Sequence, residues 1–192
     1  MSFSRIYHTA IMCLLFSPMK RAKYLGEKRV FHHVGKNCMV MFRKIPLYPE
    51  LISLGDNVWI ASNVSLITHD VIHHMLNYKL RKREFPENIG CIEIEDNVFI
   101  GANSTVLPNV SIGSDTIIAA GTLVNKSIQR GGVYAGVPAR YICSLDEFIE
   151  KRKQYSKIVI EKVRNGDLSD STVRACWERF KKQTDLMDDA KE

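Results

Sequence analysis

An aliphatic residue recurs at every sixth position through the middle of the chain. Six consecutive segments from Ile94 each begin with Ile or Val, and they read IEDNVF, IGANST, VLPNVS, IGSDTI, IAAGTL and VNKSIQ. The same pattern appears upstream in LGDNVW, IASNVS and LITHDV from Leu54, and more weakly in VGKNCM from Val34. A period of six fits neither an amphipathic helix nor a single alternating strand. It predicts a short strand and a corner, repeated as an all-β solenoid with a continuous aliphatic core.

The fourth position of these hexapeptides is suited to a corner. Asn occupies it at Asn57, Asn63, Asn97, Asn103 and Asn109, and Gly occupies it at Gly121. Both residue types tolerate a left-handed backbone, which a sharp corner requires.

Two breaks interrupt the repeat. In residues 40–53 the phase shifts by two residues, and Pro46 and Pro49 lie there. The second break, residues 70–90, is polar, basic and rich in His. We expect an extruded loop here, because long excursions from a regular scaffold often carry function.

The ends of the chain lack the repeat. We expect residues 1–30 to form a short N-terminal helical segment, residues 31–142 the solenoid domain, and residues 143–192 a C-terminal helical appendage. The two appended helices are predicted at Leu145–Arg164 and Ser171–Met187, with Ser169 or Ser171 at the start of the second. The stretch Thr9–Phe16 is too short to span a bilayer, so we expect it to pack on the body. Basic residues follow it, and an interfacial anchor is the less favoured alternative.

Charge and cysteine content narrow the function classes. The net charge of +6 fits an anionic ligand, but no nucleic-acid-binding motif accompanies it. The five cysteines are odd in number and form no CxxC pair, which argues against a disulfide framework or a zinc knuckle. We expect a cytoplasmic protein that does not associate with membranes or nucleic acid.

The repeat resembles the left-handed β-helix acyltransferases. The segments IEDNVFIGANSTVLPNVSIG and VYAGVPARYI resemble that family most closely, and LISLGDNVWIASNVSLITHD and AKYLGEKRV resemble its branch that O-acetylates polysaccharides and related sugars. The resemblance covers roughly residues 20–142. It implies a left-handed parallel β-helix with three hexapeptides per turn, a homotrimer with active sites between subunits, and acetyl-CoA as cosubstrate, with no metal required.

The resemblance also implies a catalytic histidine at the start of the extruded loop, where His69 lies. Acetyl transfer to a hydroxyl needs a base, and a histidine suits this role because it changes charge near physiological pH. We expect direct transfer without an acetyl-enzyme. Asp70 is expected to contact the acceptor or to orient the ring, and His73 and His74 are weaker candidates for the acceptor pocket. The alternative for each histidine is a structural or surface side chain without a role in catalysis.

Positions for coenzyme A follow from the same resemblance. Phe99 stands where the family has a Trp beside the pantetheine, and Asn125 replaces a family Thr. The full set of expected coenzyme A residues is Phe99, Ala102, Ala120, Asn125, Lys126 and Arg140. Asn125 differs from the family Thr, and Cys143 stands where some members carry Arg. The alternative is that Arg81, Lys82 or Arg83 contacts the phosphates of coenzyme A. The alternative for Lys126 and Arg140 is solvent-exposed charge, and for Ala102 and Ala120 it is steric fit at a corner.

Other functions fit the same scaffold. A sugar N-acetyltransferase is the nearest alternative, because fold alone does not fix the acceptor. His33, His69 and His74 are spaced like the zinc ligands of γ-carbonic-anhydrase-like enzymes, although the phase shift after Val40 disturbs their stacking. A scaffold that binds partners without catalysis is the third alternative.

Overall fold

Three parallel sheets enclose the core of the chain. The structure is a computed structural model that describes residues 3–155 and 167–188. We name the sheets face A, face B and face C, and the chain visits them in turn. Face A contains β1 (His33–Val34), β3 (Ile52–Leu54), β8 (Ile92–Ile94) and β11 (Val110–Ile112). Face B contains β2 (Met39–Val40), β4 (Trp59–Ile60), β9 (Phe99–Ile100), β12 (Thr116–Ile118) and β14 (Gly132–Ala135). Face C contains β5 (Ser65–Leu66), β10 (Thr105–Val106) and β13 (Leu123–Val124).

The strand register follows the hexapeptides. Ile92 pairs with Val110, Phe99 pairs with Ile117 and Thr105 pairs with Leu123, so the two coils that follow the second break are offset by 18 residues on all three faces. This offset is three hexapeptides per turn, as the repeat and the resemblance together predict. The aliphatic residues that begin the hexapeptides point inward and are fully buried, as at Ile60, Ile100 and Ile118. The predicted solenoid is therefore confirmed as a three-sided parallel β-helix.

A ladder of corner side chains links the coils between faces A and B. The side-chain amide of Asn37 donates to Asn57 at 2.8 Å, that of Asn57 donates to Asn97 at 3.0 Å, and that of Asn97 donates to Asp115 at 3.1 Å. All four residues have a positive φ between 54° and 59°. The predicted left-handed corners are confirmed, and their side chains also bridge neighbouring coils.

The first break leaves a segment without strands on the third side of the first coil. His33 pairs with Ser53 and Met39 with Trp59, an offset of 20 residues that shows the two extra residues of the phase shift. They are absorbed in residues 41–51, which contain only a short 3-10 helix, Pro49–Leu51. The segment still contributes Ile45 to the core.

The second break is more ordered than the loop expected from the sequence. It begins with β6 (His69–Asp70), continues as helix α3 (Ile72–Leu80) and returns through β7 (Asn88–Ile89), which pairs antiparallel with β6. The Asn77 side chain stabilises the segment between α3 and β7. It accepts from the N–H groups of Glu84 and Phe85 and donates to the Phe85 carbonyl.

The N-terminal segment contains two helices, α1 (Phe3–Leu14) and α2 (Pro18–Glu27). Ser17 caps α2, where its side chain accepts from the Lys20 N–H, and Pro18 fills the first helical position. The buried guanidinium of Arg21 donates to the carbonyls of Leu15 and Val40, which joins the turn between the helices to β2. No helix among the described residues is long and apolar enough to cross a bilayer.

The repeat closes with an antiparallel strand. β15 (Arg140–Cys143) runs back along β14, and α4 (Leu145–Tyr155) follows. The region from Glu147 onward forms a separate compact unit. In it, α5 (Asp170–Asp188) begins after Ser169, whose side chain accepts from the Thr172 N–H at 3.2 Å, as a capping residue does. The expected helical residues 156–164 lie outside the described residues.

Candidate functional site

A groove of about 1600 Å³ opens beside face C. One wall is the strandless segment of the first break, and the floor is the outer side of face C. The base of the second break forms the opposite wall. The groove is lined by Arg5, residues 41–47, residues 62–67, His69, Asp70, Val71, Ile72, Asn88, Leu107, Pro108 and Asn125. Apolar walls with a few polar groups are typical of a small-molecule site.

His69 is held at the edge of this groove by backbone contacts on both sides. It is the first residue of β6 and pairs with Ile89 of β7. The preceding residue, Thr68, is buried, its hydroxyl donates to the Leu47 carbonyl, and its own carbonyl accepts from the Gly90 N–H at 2.8 Å. The His69 Nδ1 atom is buried and has no hydrogen-bond partner among the described residues. The ring is therefore fixed in position, with Nδ1 turned away from solvent.

Tyr48 and Glu87 flank His69, and the sequence did not single out either of them. The ring of Tyr48 meets that of His69 edge to face, at 5.5 Å between centroids and 85° between planes. Its hydroxyl donates to both carboxylate oxygens of Glu87, at 3.1 and 3.0 Å. This hydrogen bond is the main reason why the pKa of Tyr48 is raised above its ordinary value. The phenol therefore stays protonated and keeps donating.

Asp70 connects the two ends of the second break by hydrogen bonds. Its carboxylate accepts from the Ile72 N–H at 3.0 Å and from the Asn88 side chain at 2.8 Å. The Asn88 bond, followed by the Ile72 bond, lowers the pKa of Asp70 below its ordinary value. The sequence did not indicate this structural role. Asp70 also lines the groove, where its expected contact with an acceptor stays a prediction.

His73 and His74 lie on α3, away from the lining of the groove. Their rings are 4.0 Å apart and tilted by 36°. His74 is exposed, whereas the Nδ1 atom of His73 is buried and has no hydrogen-bond partner among the described residues. In one copy of the chain these two side chains do not form the wall of an acceptor pocket with His69.

The expected coenzyme A residues fall on two different edges of the β-helix. Asn125 and Lys126 follow β13 at the end of face C, above the coil that carries His69, and Asn125 lines the groove. Phe99 is exposed on face B, and Ala102 and Ala120 stack at the corner between faces B and C, where the Gly121 N–H donates to the Ala102 carbonyl at 2.8 Å. Arg140 is exposed and pairs with Ala135 at the end of face B. One copy of the chain does not bring all of them together.

The corner that carries Ala102 and Ala120 is tightly stacked. A Cβ atom on Gly101 would lie 2.4 Å from the backbone nitrogen of Ala120, so the coils approach as closely as glycine permits. Small side chains along this edge leave the backbone accessible to an elongated ligand.

The histidines proposed as zinc ligands are on different parts of the fold. His33 is exposed on face A, His69 begins β6 beyond face C, and His74 lies on α3. Within residues 3–155 and 167–188, no three side chains of His, Cys, Asp or Glu are grouped so that they could hold a metal ion.

Comparisons with known proteins agree with the hexapeptide repeat. Residues 92–126 match the family described as bacterial transferase hexapeptide (six repeats). Galactoside O-acetyltransferase of Escherichia coli is 36% identical over 116 residues, which are 60% of this chain and 55% of that enzyme. A 2,3,4,5-tetrahydropyridine-2,6-dicarboxylate N-acetyltransferase of Clostridium perfringens is 47% identical over 64 residues, which are 33% of this chain and 27% of that enzyme.

A solved structure of galactoside acetyltransferase in complex with coenzyme A is similar in fold. Its TM-score is 0.53 and its sequence identity 26%, and the match covers 76% of this chain and 82% of that one. The chain is similar to hexapeptide-repeat acetyltransferases in sequence and in fold, and this likeness implies a left-handed β-helix. The match spans 53–65% of the length of the first three curated relatives.

Proposed function

We propose that the protein is an acetyl-CoA-dependent O-acetyltransferase that acts on a sugar or polysaccharide hydroxyl, with His69 as the general base. The observation that carries the proposal is the position of His69. It stands at the edge of a groove large enough for an acceptor, on the first residue of an insertion that interrupts a hexapeptide-repeat β-helix. The similarity to a galactoside O-acetyltransferase and to a structure that contains coenzyme A supports both substrates.

The chemistry needs one proton to move twice. With Nδ1 buried, Nε2 of His69 takes the proton of the acceptor hydroxyl as its oxygen attacks the carbonyl carbon of the acetyl thioester. A new C–O bond forms, and collapse of the tetrahedral intermediate breaks the C–S bond. The leaving thiolate of coenzyme A then takes the proton back from His69. Tyr48 fixes the plane of the ring during these steps, because its own hydroxyl is held by Glu87.

A homotrimer completes the site in this proposal. In one copy, His69 and Asn125 lie at one end of face C, whereas Ala102 and Ala120 lie at the other corner. A neighbouring copy that presents its Ala102 and Ala120 edge beside the groove would bring base and cofactor edge together. Coenzyme A would then run along the small corner residues, with Phe99 beside the pantetheine and with Lys126 and Arg140 toward the phosphates.

The nearest alternative is transfer to an amine. The N-acetyltransferase relative shares a higher identity over a shorter stretch than the galactoside enzyme does. An amine that is protonated at neutral pH needs a base as a hydroxyl does, so His69 would serve both reactions. The acceptor panel must therefore contain sugar amines as well as hydroxyl acceptors.

The test measures release of the coenzyme A thiol from acetyl-CoA with neutral saccharides, oligosaccharides and amino sugars, for the unmodified chain and for His69→Ala. We expect acceptor-dependent release that falls by roughly 10²–10⁴-fold in His69→Ala. His32→Ala is the matched control, because His32 is exposed and lies outside the groove.

Each other outcome contradicts part of the proposal. Release only with amino sugars, with an acetylated amine as product, would show that the acceptor is an amine and not a hydroxyl. Full activity in His69→Ala would show that His69 is not the general base. Absence of release with every acceptor, together with bound zinc that is lost in His33→Ala, would favour the metalloenzyme.

A further inference from the structure

Helix α1 shows an apolar stripe that the rest of the chain does not cover. Of its residues only Met12 is buried. The exposed apolar side chains follow helical spacing, and Phe16 extends the stripe just beyond the helix, at 87% exposure. We call this surface the α1 stripe, and it consists of Phe3, Ile6, Tyr7, Ala10, Leu14 and Phe16. Residues 9–16 contact the rest of the chain through Thr9 and Met12, and the stripe lies on the opposite side of the helix.

The helix is held firmly with this stripe outward. On its inner side, Nδ1 of His8 lies 2.7 Å from the Tyr24 hydroxyl, and the Thr9 hydroxyl accepts from the Ile45 N–H at 3.2 Å. At its C-terminal end, Arg21 donates to the Leu15 carbonyl at 2.7 Å. Because these contacts fix the rotation of α1 about its axis, the apolar side chains face away from the core.

The part of the sequence that contains the stripe is strongly basic, although one of its cations, Arg21, is buried. Residues 1–49 contain nine Lys and Arg but a single acidic residue, Glu27, which gives a net charge of +8. The remaining residues contain 18 basic and 20 acidic side chains, a net charge of −2. Arg43, which is exposed, donates to the Cys13 carbonyl and so stands beside the end of the stripe, and the exposed Lys20 follows it in sequence.

We propose that the α1 stripe is an interfacial docking surface for an anionic lipid membrane. A helix with an apolar face and flanking cations lies in the headgroup region, where apolar burial and attraction to anionic lipid both favour binding. A contact between the stripes of two copies would place one net +8 region against another, which is unfavourable. A contact between the stripe and a different edge of a neighbouring copy is the competing occupant, and the light-scattering measurement below tests it. Arg5 lines the groove and belongs to α1, so membrane docking holds the His69 groove close to the bilayer surface.

Vesicle flotation of the full chain tests this proposal. The probes are vesicles of phosphatidylcholine alone and vesicles with about 30 mol% phosphatidylglycerol. We expect binding to the anionic vesicles that weakens with added salt, and little binding to the neutral ones. The double variant Leu14→Ser/Phe16→Ser leaves the charge unchanged and should bind the anionic vesicles at least about tenfold more weakly, because two exposed apolar side chains are lost.

A charge variant and a matched control complete the design. Lys20→Glu should also weaken binding about tenfold, since it replaces an exposed cation beside the stripe by an anion. Trp177→Ser removes an aromatic side chain of 61% exposure that lies on α5, outside the stripe, and should bind as the unmodified chain does.

Three results would overturn the proposal. They are absence of binding, equal binding to neutral and anionic vesicles, and unchanged binding in Leu14→Ser/Phe16→Ser. Light scattering of the same variants adds a fourth. If the serine variant dissociates into smaller oligomers while its circular dichroism is unchanged, the α1 stripe is a contact between copies and not a membrane surface.

Discussion

At the scale of single residues, His69 depends on side chains far from it in the sequence. Tyr48 lies in the first break and Glu87 at the end of the second, and the two meet only because both breaks leave the β-helix on the same side. Tyr48 has a left-handed backbone, with φ at 50°, immediately before Pro49. Such a conformation is unfavourable for a bulky residue and is found where the surroundings enforce it.

We predict that Tyr48 and Glu87 position the base without taking part in proton transfer. Tyr48→Phe keeps the ring and loses the bond to Glu87, so kcat should fall roughly 3–10-fold, while KM for acetyl-CoA is unchanged. Tyr48→Ala removes the ring and should lower kcat by about 10²-fold, because a misplaced base reacts slowly. Steady-state thiol release with a saturating acceptor measures both parameters.

Glu87→Gln provides the conservative comparison, because its amide oxygen still accepts from the phenol. Its activity should lie between that of the unmodified chain and that of Tyr48→Phe. If Tyr48→Phe and Tyr48→Ala lose thermal stability and activity together, with KM for acetyl-CoA rising in step, Tyr48 is a structural residue of the groove wall and the positioning role is wrong.

At the scale of elements, the coils were predictable because their pattern is local. The hexapeptide fixes which residue points inward and which turns the corner, so the strands from Ile92 to Val124 follow from the sequence alone. Helix α3 was expected as a loop because the segment is polar, basic and rich in His. Its apolar residues Ile72, Met75, Leu76 and Leu80 do follow helical spacing, but none of them is buried. The pairing of Tyr48 with Glu87 spans 39 residues and has no sequence signature.

The corner ladder between faces A and B yields a stability prediction. Asn97 combines a left-handed backbone with hydrogen bonds to Asn57 and Asp115. Asn97→Ala should lower the free energy of unfolding by about 1–2 kcal/mol, because Ala tolerates the left-handed region less well than Asn does and two solvent-exposed hydrogen bonds are lost. Guanidinium denaturation at fixed protein concentration measures the change.

Two variants separate these contributions. Asn97→Gly relieves the backbone and loses only the ladder bonds, so it should be about 1 kcal/mol more stable than Asn97→Ala. Asn103→Ala changes a residue with φ at 60° that makes no side-chain hydrogen bond among the described residues, and should lose only the backbone contribution. Equal losses in Asn97→Ala and Asn103→Ala would show that the ladder bonds contribute nothing measurable.

At the scale of the whole molecule, the resemblance predicts which residues share one site, but it does not indicate that they lie apart in a single copy. The resemblance assigns His69 and Ala120 to one site, and the register of the coils explains why one copy does not join them. His69 follows β5 at the far end of face C, whereas Ala120 precedes β13 at the corner where face C begins. In the proposed homotrimer, two neighbouring copies would bring these residues to a single reaction centre.

Subunit mixing tests that assembly directly. His69→Ala removes the base, and Ala120→Trp places a large side chain on the exposed corner along which coenzyme A is proposed to run. Each variant alone should be inactive. When the two are coexpressed at equal levels, a site that takes its base from one copy and its cofactor edge from the neighbour is intact in about one quarter of cases, so about a quarter of the unmodified activity should return.

The recovery separates the two geometries because a site within one copy can never be rescued. Every copy in the mixture carries one of the two defects, so sites built from single copies stay inactive at any mixing ratio. Preformed oligomers of the two variants, purified apart and then combined, should also show no activity unless copies exchange. Mixed trimers verified by light scattering and mass spectrometry that stay inactive would place the base and the cofactor edge in the same copy, against the register of the coils.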